Sequence, residues 1–111
     1  MKASIIITNY NYGKYLARCL RSCFNQSIKR EDFEVILVDD NSSDNSLEIA
    51  KQFNNEQNFS IIENKKNLGV AGSANLGILK SKAEFVIRVD SDDFVSNDFL
   101  KFLIFYLQDN T

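Results

Sequence analysis

The sequence predicts an α/β fold, a mainly parallel sheet with helices on both faces. Two observations carry that expectation. Four short apolar runs alternate with four amphipathic stretches along the 111 residues, the pattern of parallel strand–helix–strand units with right-handed crossovers. The first, second and fourth runs also end in polar residues, namely Thr8-Asn9, Asp39-Asp40 and Asp90-Ser91-Asp92-Asp93. In such sheets ligands sit beyond the carboxyl ends of the strands, where strand order reverses.

Ala3 to Thr8 is the first strand, isoleucine-rich and continuous rather than alternating, as a strand covered on both faces reads. The turn-former cluster Asn9-Tyr10-Asn11-Tyr12-Gly13 follows. A helix then sets Leu16, Cys19, Leu20, Cys23 and Phe24 on one face at three- and four-residue spacing. Phe33 to Val38 is the second strand. Asn41 to Asn45 is dense in helix-capping residues, and Asn45 with Glu48 spells a capping box before a helix that buries Leu47, Ala50 and Phe53. Phe59 to Ile62 is a weaker third strand. Asn64 to Gly69 leads into a small-residue helix running to about Leu79. Glu84 to Val89 is the fourth strand, and Phe99 to Leu107 a last helix, apolar nearly all round.

Composition narrows the function classes. A single domain of this length buries roughly two-thirds of its unfolded surface, and 44% hydrophobic with 25% charged residues suits a globule. A net charge of -2 leaves no basic footprint for nucleic acid. There is no histidine, the commonest acid–base side chain and transition-metal ligand. Cys19 and Cys23 read as small apolar residues of a buried helix face; reduced thiols point to the cytoplasm. The run Ile5 to Ile7 is too short for a secretory signal, and Phe99 to Leu107 is about half a membrane span.

Asp39, Asp40, Asp44, Asp90, Asp92 and Asp93 crowd the carboxyl edge. Two unit charges about 4 Å apart repel by about 4 kcal/mol at an effective dielectric near 20, so the cluster needs compensation. Each acidic turn alone also reads as a solvated, capped strand-to-helix turn. Their recurrence at equivalent strand ends favours a divalent cation. Oxygen ligands without imidazole or thiol suit Mg²⁺ or Mn²⁺, which complete their shells with water and substrate phosphates.

Four segments carry a family likeness: Ile5-Ile6-Ile7-Thr8-Asn9-Tyr10-Asn11, Val38-Asp39-Asp40-Asn41-Ser42-Ser43-Asp44, Asn67-Leu68-Gly69-Val70-Ala71-Gly72-Ser73-Ala74-Asn75-Leu76-Gly77 and Asp90-Ser91-Asp92-Asp93. In this order and spacing they resemble the N-terminal, nucleotide-sugar-binding part of the family 2 inverting glycosyltransferases of the GT-A fold, along essentially the full chain. The resemblance implies a metal-dependent transfer, with Mn²⁺ or Mg²⁺, from a UDP- or dTDP-linked sugar to a glycan or lipid-linked acceptor, at the cytoplasmic face of a membrane or free in the cytoplasm. It puts Thr8 and Asn9 in the nucleobase pocket and Asp40, rather than Asp39, against the base. Gly69 and Asn75 would lie near the ribose and diphosphate. Asp90 and Asp92 match the family's DxD, whose last aspartate binds the metal. Many relatives carry arginine where this chain has Ala74, which removes a phosphate or base contact and leaves the donor open.

A dinucleotide site would need G-x-G-x-x-G after the first strand, and a P-loop its own glycine-rich motif; neither occurs. The rival reading is a non-catalytic nucleotide-binding or interaction module that needs a partner chain. Its ground is length: residues 1–111 form one Rossmann-like domain with no acceptor-binding half, and the carboxylate base would lie beyond Thr111. The remaining expectations are a sheet in order 3-2-1-4, no sugar transfer by this chain alone, and self-association or partner binding through the apolar last helix.

Overall fold

The structure, a computed structural model, describes residues 1–109. β-Branched runs form strands β1 (Ala3–Asn9), β2 (Phe33–Asp39), β3 (Phe59–Glu63) and β4 (Phe85–Asp90). They alternate with helices α1 (Gly13–Phe24), α2 (Ser46–Lys51), α3 (Gly69–Lys80) and α4 (Phe99–Asp109). All pairs are parallel, in the expected order β3-β2-β1-β4. The register levels the strand ends, with Thr8 opposite both Val38 and Asp90, and Asn9 opposite Asp39.

The period of two along a strand separates two cores. Ala3, Ile5, Ile7, Phe33, Val35, Leu37 and Val89 meet Leu16, Cys19, Leu20 and Cys23 of α1, Ala50 of α2, and Leu100 and Ile104 of α4. On the other face Ile6, Ile36 and Val38 lie under α3. There the helix approaches through Gly77, where a Cβ would collide with Ile6 and touch Val38. β1 and β2, covered on both sides, are buried throughout, whereas edge strand β4 leaves Val86 and Arg88 exposed.

Two expectations change. Asn45 forms no side-chain cap on α2; Asp44 Oδ1 accepts the Ser46 N–H at 3.0 Å and the Ser46 hydroxyl instead. α2 ends at Lys51, Leu47 is only half-buried on it, and Phe53 lies half-buried in the following turn, stacked on Phe24 with 5.9 Å between ring centres. Helix α4 is covered on one side only. Leu100 and Ile104 are buried, while Phe102 and Phe105 are 66% and 67% exposed.

Candidate functional site

A cavity of about 260 Å³ opens beyond the carboxyl ends of β1, β2 and β4. Thr8, Asn9, Asp40, Gly69, Asp90 and Asp92 line it, so six of the seven residues singled out from the sequence converge there. Asn75 is exposed on α3 and is not part of the lining. It stands two positions past Ser73, about 200° around the helix, and Ser73 is the residue facing the cavity. Tyr10, Tyr12, Val70, Ser73 and Ser91 complete the wall.

The loop between β1 and α1 is held by its neighbour. Asn11, at φ 57°, accepts the Ser43 and Asp44 N–H groups on Oδ1 at 2.8 and 3.2 Å. The Asn11 N–H in turn donates to Ser42 Oγ at 2.9 Å. Asn9 Nδ2 donates to Asp39 Oδ1 at 2.9 Å, and Ser42 donates to both Asp39 oxygens. Asp39 thus serves the loop scaffold and does not line the cavity.

Helices α1 and α3 lack a side-chain cap from their own N-cap residues. Carboxylates from the segment after β2 replace them. Asp44 Oδ2 accepts the Gly13 N–H at 2.9 Å. Asp40 accepts the Leu68 and Gly69 N–H groups at 2.7 and 3.0 Å, and Asn64 Nδ2 at 3.0 Å. Burial alone would raise the Asp40 pKa; the bonds from Leu68, Asn64, Gly69 and Ser73 outweigh it and hold the carboxyl below its ordinary value. Asp44 is likewise depressed, with burial opposing and the Ser46 hydroxyl and Gly13 N–H prevailing. Two of the six crowded carboxylates are therefore compensated by helix N-termini, where positive partial charge gathers.

With Asp39 held in the loop scaffold, the other three converge. Asp90 ends β4, and a turn closed by the Asp93 N–H on the Asp90 carbonyl at 3.0 Å follows it. One carboxylate oxygen from each of Asp90, Asp92 and Asp93 lies within 4.8 Å of the others. This all-carboxylate donor set fits a divalent hard cation, with no imidazole or thiolate to favour a softer one. Asp92 and Asp93 are exposed, and Asp90 is half-buried.

Helix α1 fixes the segment that carries them. Arg18 and Ser22 stand four residues apart on one face of α1, and Gln26 follows two residues past its end. Arg18 Nη2 donates to the Asp92 carbonyl at 3.2 Å, and Ser22 Oγ accepts the Val95 N–H at 3.1 Å. Gln26 Oε1 accepts the Leu100 N–H at 3.0 Å. The Arg18 guanidinium also lies 4.6 Å from the Phe94 ring centre. Cys19 is buried, and its sulfur lies 3.6 Å from the Asp90 carbonyl oxygen. Its bond with Cys23, then burial, pushes the thiol pKa far up. Both cysteines are core groups, as their spacing implied.

Tyr10, Tyr12 and Ser73 escaped the sequence reading. The tyrosines read as turn residues, and Ser73 as part of a small-residue face. The signal for Ser73 was its place four residues from both Gly69 and Gly77, on the stripe that turns inward.

Comparison with known proteins agrees with this geometry. The chain is 36% identical over 102 residues to the poly(ribitol-phosphate) β-N-acetylglucosaminyltransferase TarS of Staphylococcus aureus strain Mu50, covering 91% of this chain and 18% of TarS. It is 39% identical over 102 residues to a poly(ribitol-phosphate) β-glucosyltransferase of Bacillus spizizenii, with 90% and 16% covered. The crystal structure of S. aureus TarS 1-349 in complex with UDP-GlcNAc superposes with a TM-score of 0.91 at 33% identity, over 98% of this chain and 32% of that one. The chain spans about a sixth of the length of these curated relatives. Residues 4–111 match the description Glycosyl transferase family 2, so the chain belongs to that family and carries its GT-A, nucleotide-binding fold.

Proposed function

We propose that the chain is the donor-binding domain, residues 1–111, of a glycosyltransferase that takes a sugar from a nucleoside diphosphate and passes it to an acceptor hydroxyl with inversion. The observation that carries this reading is one cavity with two unlike ends. Asp90 and Asp92 line it at the end of β4, with Asp93 beside them, and Asp40 and the Gly69 backbone line it at the start of α3. A nucleotide diphosphate presents the matching chemistry, a polar base at one end and a metal-bridged diphosphate at the other.

In this reading Asp92, helped by Asp90, holds Mg²⁺ or Mn²⁺ against the diphosphate. The ion supplies Lewis acidity that stabilises charge on the departing nucleoside diphosphate. Thr8 and Asn9 line the base pocket, Asp40 accepts a hydrogen bond from the base, and Gly69 lets backbone approach the ribose. Gly69 lies at φ 79° with no atom within 4 Å of a Cβ position, so its backbone is open to a ligand. Asn75, on the exposed side of α3, would reach only parts of the donor that project beyond the cavity.

The similarity to TarS bound to UDP-GlcNAc supports a UDP-sugar as the first donor to try and dTDP-sugars as the second. The relatives are named for transfer to poly(ribitol-phosphate), which supports a hydroxyl-bearing polymer as acceptor. No described helix is long and apolar enough to cross a membrane. Isothermal titration with UDP, dTDP and GDP, each with and without Mn²⁺, tests the proposal. Metal-dependent binding of UDP or dTDP is expected; binding of none of the three overturns it.

A further inference from the structure

Arg88 stands two residues before Asp90 on β4, so the two side chains share the face of the sheet that α3 covers. Thr8 of β1 is paired with Asp90 and projects on that same face. Arg88 Nη1 donates to Asp90 Oδ1 at 2.6 Å and to Thr8 Oγ1 at 3.0 Å, tying two of the cavity's walls together. Among the described residues, no other lysine or arginine nitrogen lies within 4 Å of the Asp90, Asp92 or Asp93 carboxylates. The pair is 42% and 46% exposed, and ion pairs that exposed add little to stability. Its consequence is therefore electrostatic. Between the aspartates, Ser91 is 1% exposed and lines the cavity, and its hydroxyl has no protein partner.

We infer that Arg88 is a counter-cation that occupies one oxygen of Asp90 and suppresses binding of bare divalent metal, so that metal enters together with the diphosphate. This rests on the donor-site reading above. With the guanidinium in place, one of three ligand carboxylates is already neutralised and one of its oxygens engaged. A diphosphate brings new negative oxygens that Arg88 does not occupy, and these restore the attraction for the ion. Arg88 is a positioning and selectivity residue here, one step removed from the reacting atoms.

The test is a Mn²⁺ titration of the chain by electron paramagnetic resonance, first alone and then with saturating UDP. Arg88→Met should bind Mn²⁺ alone on the order of tenfold more tightly than wild type, and the enhancement by UDP should shrink. Arg88→Gln, which keeps hydrogen-bonding groups and loses the charge, should change in the same direction. Arg88→Lys should stay near wild type. If Arg88 merely props Asp90, both neutral variants bind Mn²⁺ more weakly, and that result overturns the inference, as does unchanged affinity. Should UDP fail to enhance Mn²⁺ binding in the wild type, the donor-site reading falls. The titrations in metal alone still judge the hold of Arg88 on Asp90 separately.

Discussion

Asp40 and Asp44, four residues apart after β2, cap two helices that lie on opposite faces of the sheet. Asp40 takes the first N–H groups of α3 and Asp44 that of α1. One short acidic segment thereby fixes both helices whose N-termini border the cavity. Replacing Asp40 by alanine leaves those N–H groups and Asn64 without their buried acceptor. The expected loss is about 1–3 kcal/mol of stability. UDP affinity should fall as well, through the displaced Gly69 backbone and the lost contact to the base. Denaturant unfolding alongside UDP titration measures both. Unchanged stability would show that the α3 N-terminus does not depend on Asp40.

The same carboxylates set the acid limit of the fold. Both have folded pKa values below their ordinary ones. A depressed carboxylate contributes stability that is complete above its unfolded pKa and is lost as pH falls through its folded value. Stability should therefore be level near neutrality and decline below the ordinary carboxylate range. Asp40→Asn should flatten that decline while lowering the neutral plateau. A midpoint series from pH 7 to pH 3 checks this, and an unaltered acid slope in the variant would count against it.

Gly77 packs α3 directly against Ile6 and Val38 of the sheet. In an exposed helix, glycine to alanine gains up to about 1 kcal/mol, but here the new methyl lands on Ile6. Overpacking should prevail, destabilising Gly77→Ala by roughly 1–3 kcal/mol. The penalty should shrink in an Ile6→Ala background, a coupling that thermal unfolding of the two single variants and the double variant would reveal. Additive costs would mean the helix moves away freely.

The fold was legible because its cues agreed. Continuous runs such as Ile5-Ile6-Ile7 and Val35-Ile36-Leu37-Val38 required cover on both faces, and β1 and β2 became the two central strands. The lining of the candidate site was legible where polar residues sit at strand ends, as with Thr8, Asp90 and Asp92. What stayed hidden depends on long-range partners. Nothing local tells that Asp44 bonds to Gly13, 31 residues away, or that Asp40 bonds to Gly69. Counting all the acids as one cluster therefore overstated the charge left for a metal. Asn75 followed the motif, but the helical rotation from Ser73 turns it outward.

Helix α4 leaves Phe102, Phe105 and Tyr106 exposed at 66%, 67% and 63%. Fully burying one such ring is worth about 1.5–3 kcal/mol, so three on one helix favour association. The 111-residue chain should form oligomers in light scattering after gel filtration. Phe102→Glu with Phe105→Glu should give a folded monomer, since neither ring belongs to the core. A wild type that stays monomeric at high concentration contradicts this.

Asp92 is the residue proposed to join metal to nucleotide. Its side chain is exposed on a turn held through backbone contacts, so Asp92→Asn should fold as the wild type does. Calorimetric titration of UDP in the presence of Mn²⁺, on wild type and Asp92→Asn, is the decisive measurement. Metal-dependent binding by the wild type, weakened about tenfold or more in the variant, is the predicted result; the loss of one charged ligand accounts for that size. Equal metal-dependent binding by both proteins would contradict the account and take Asp92 out of the metal site.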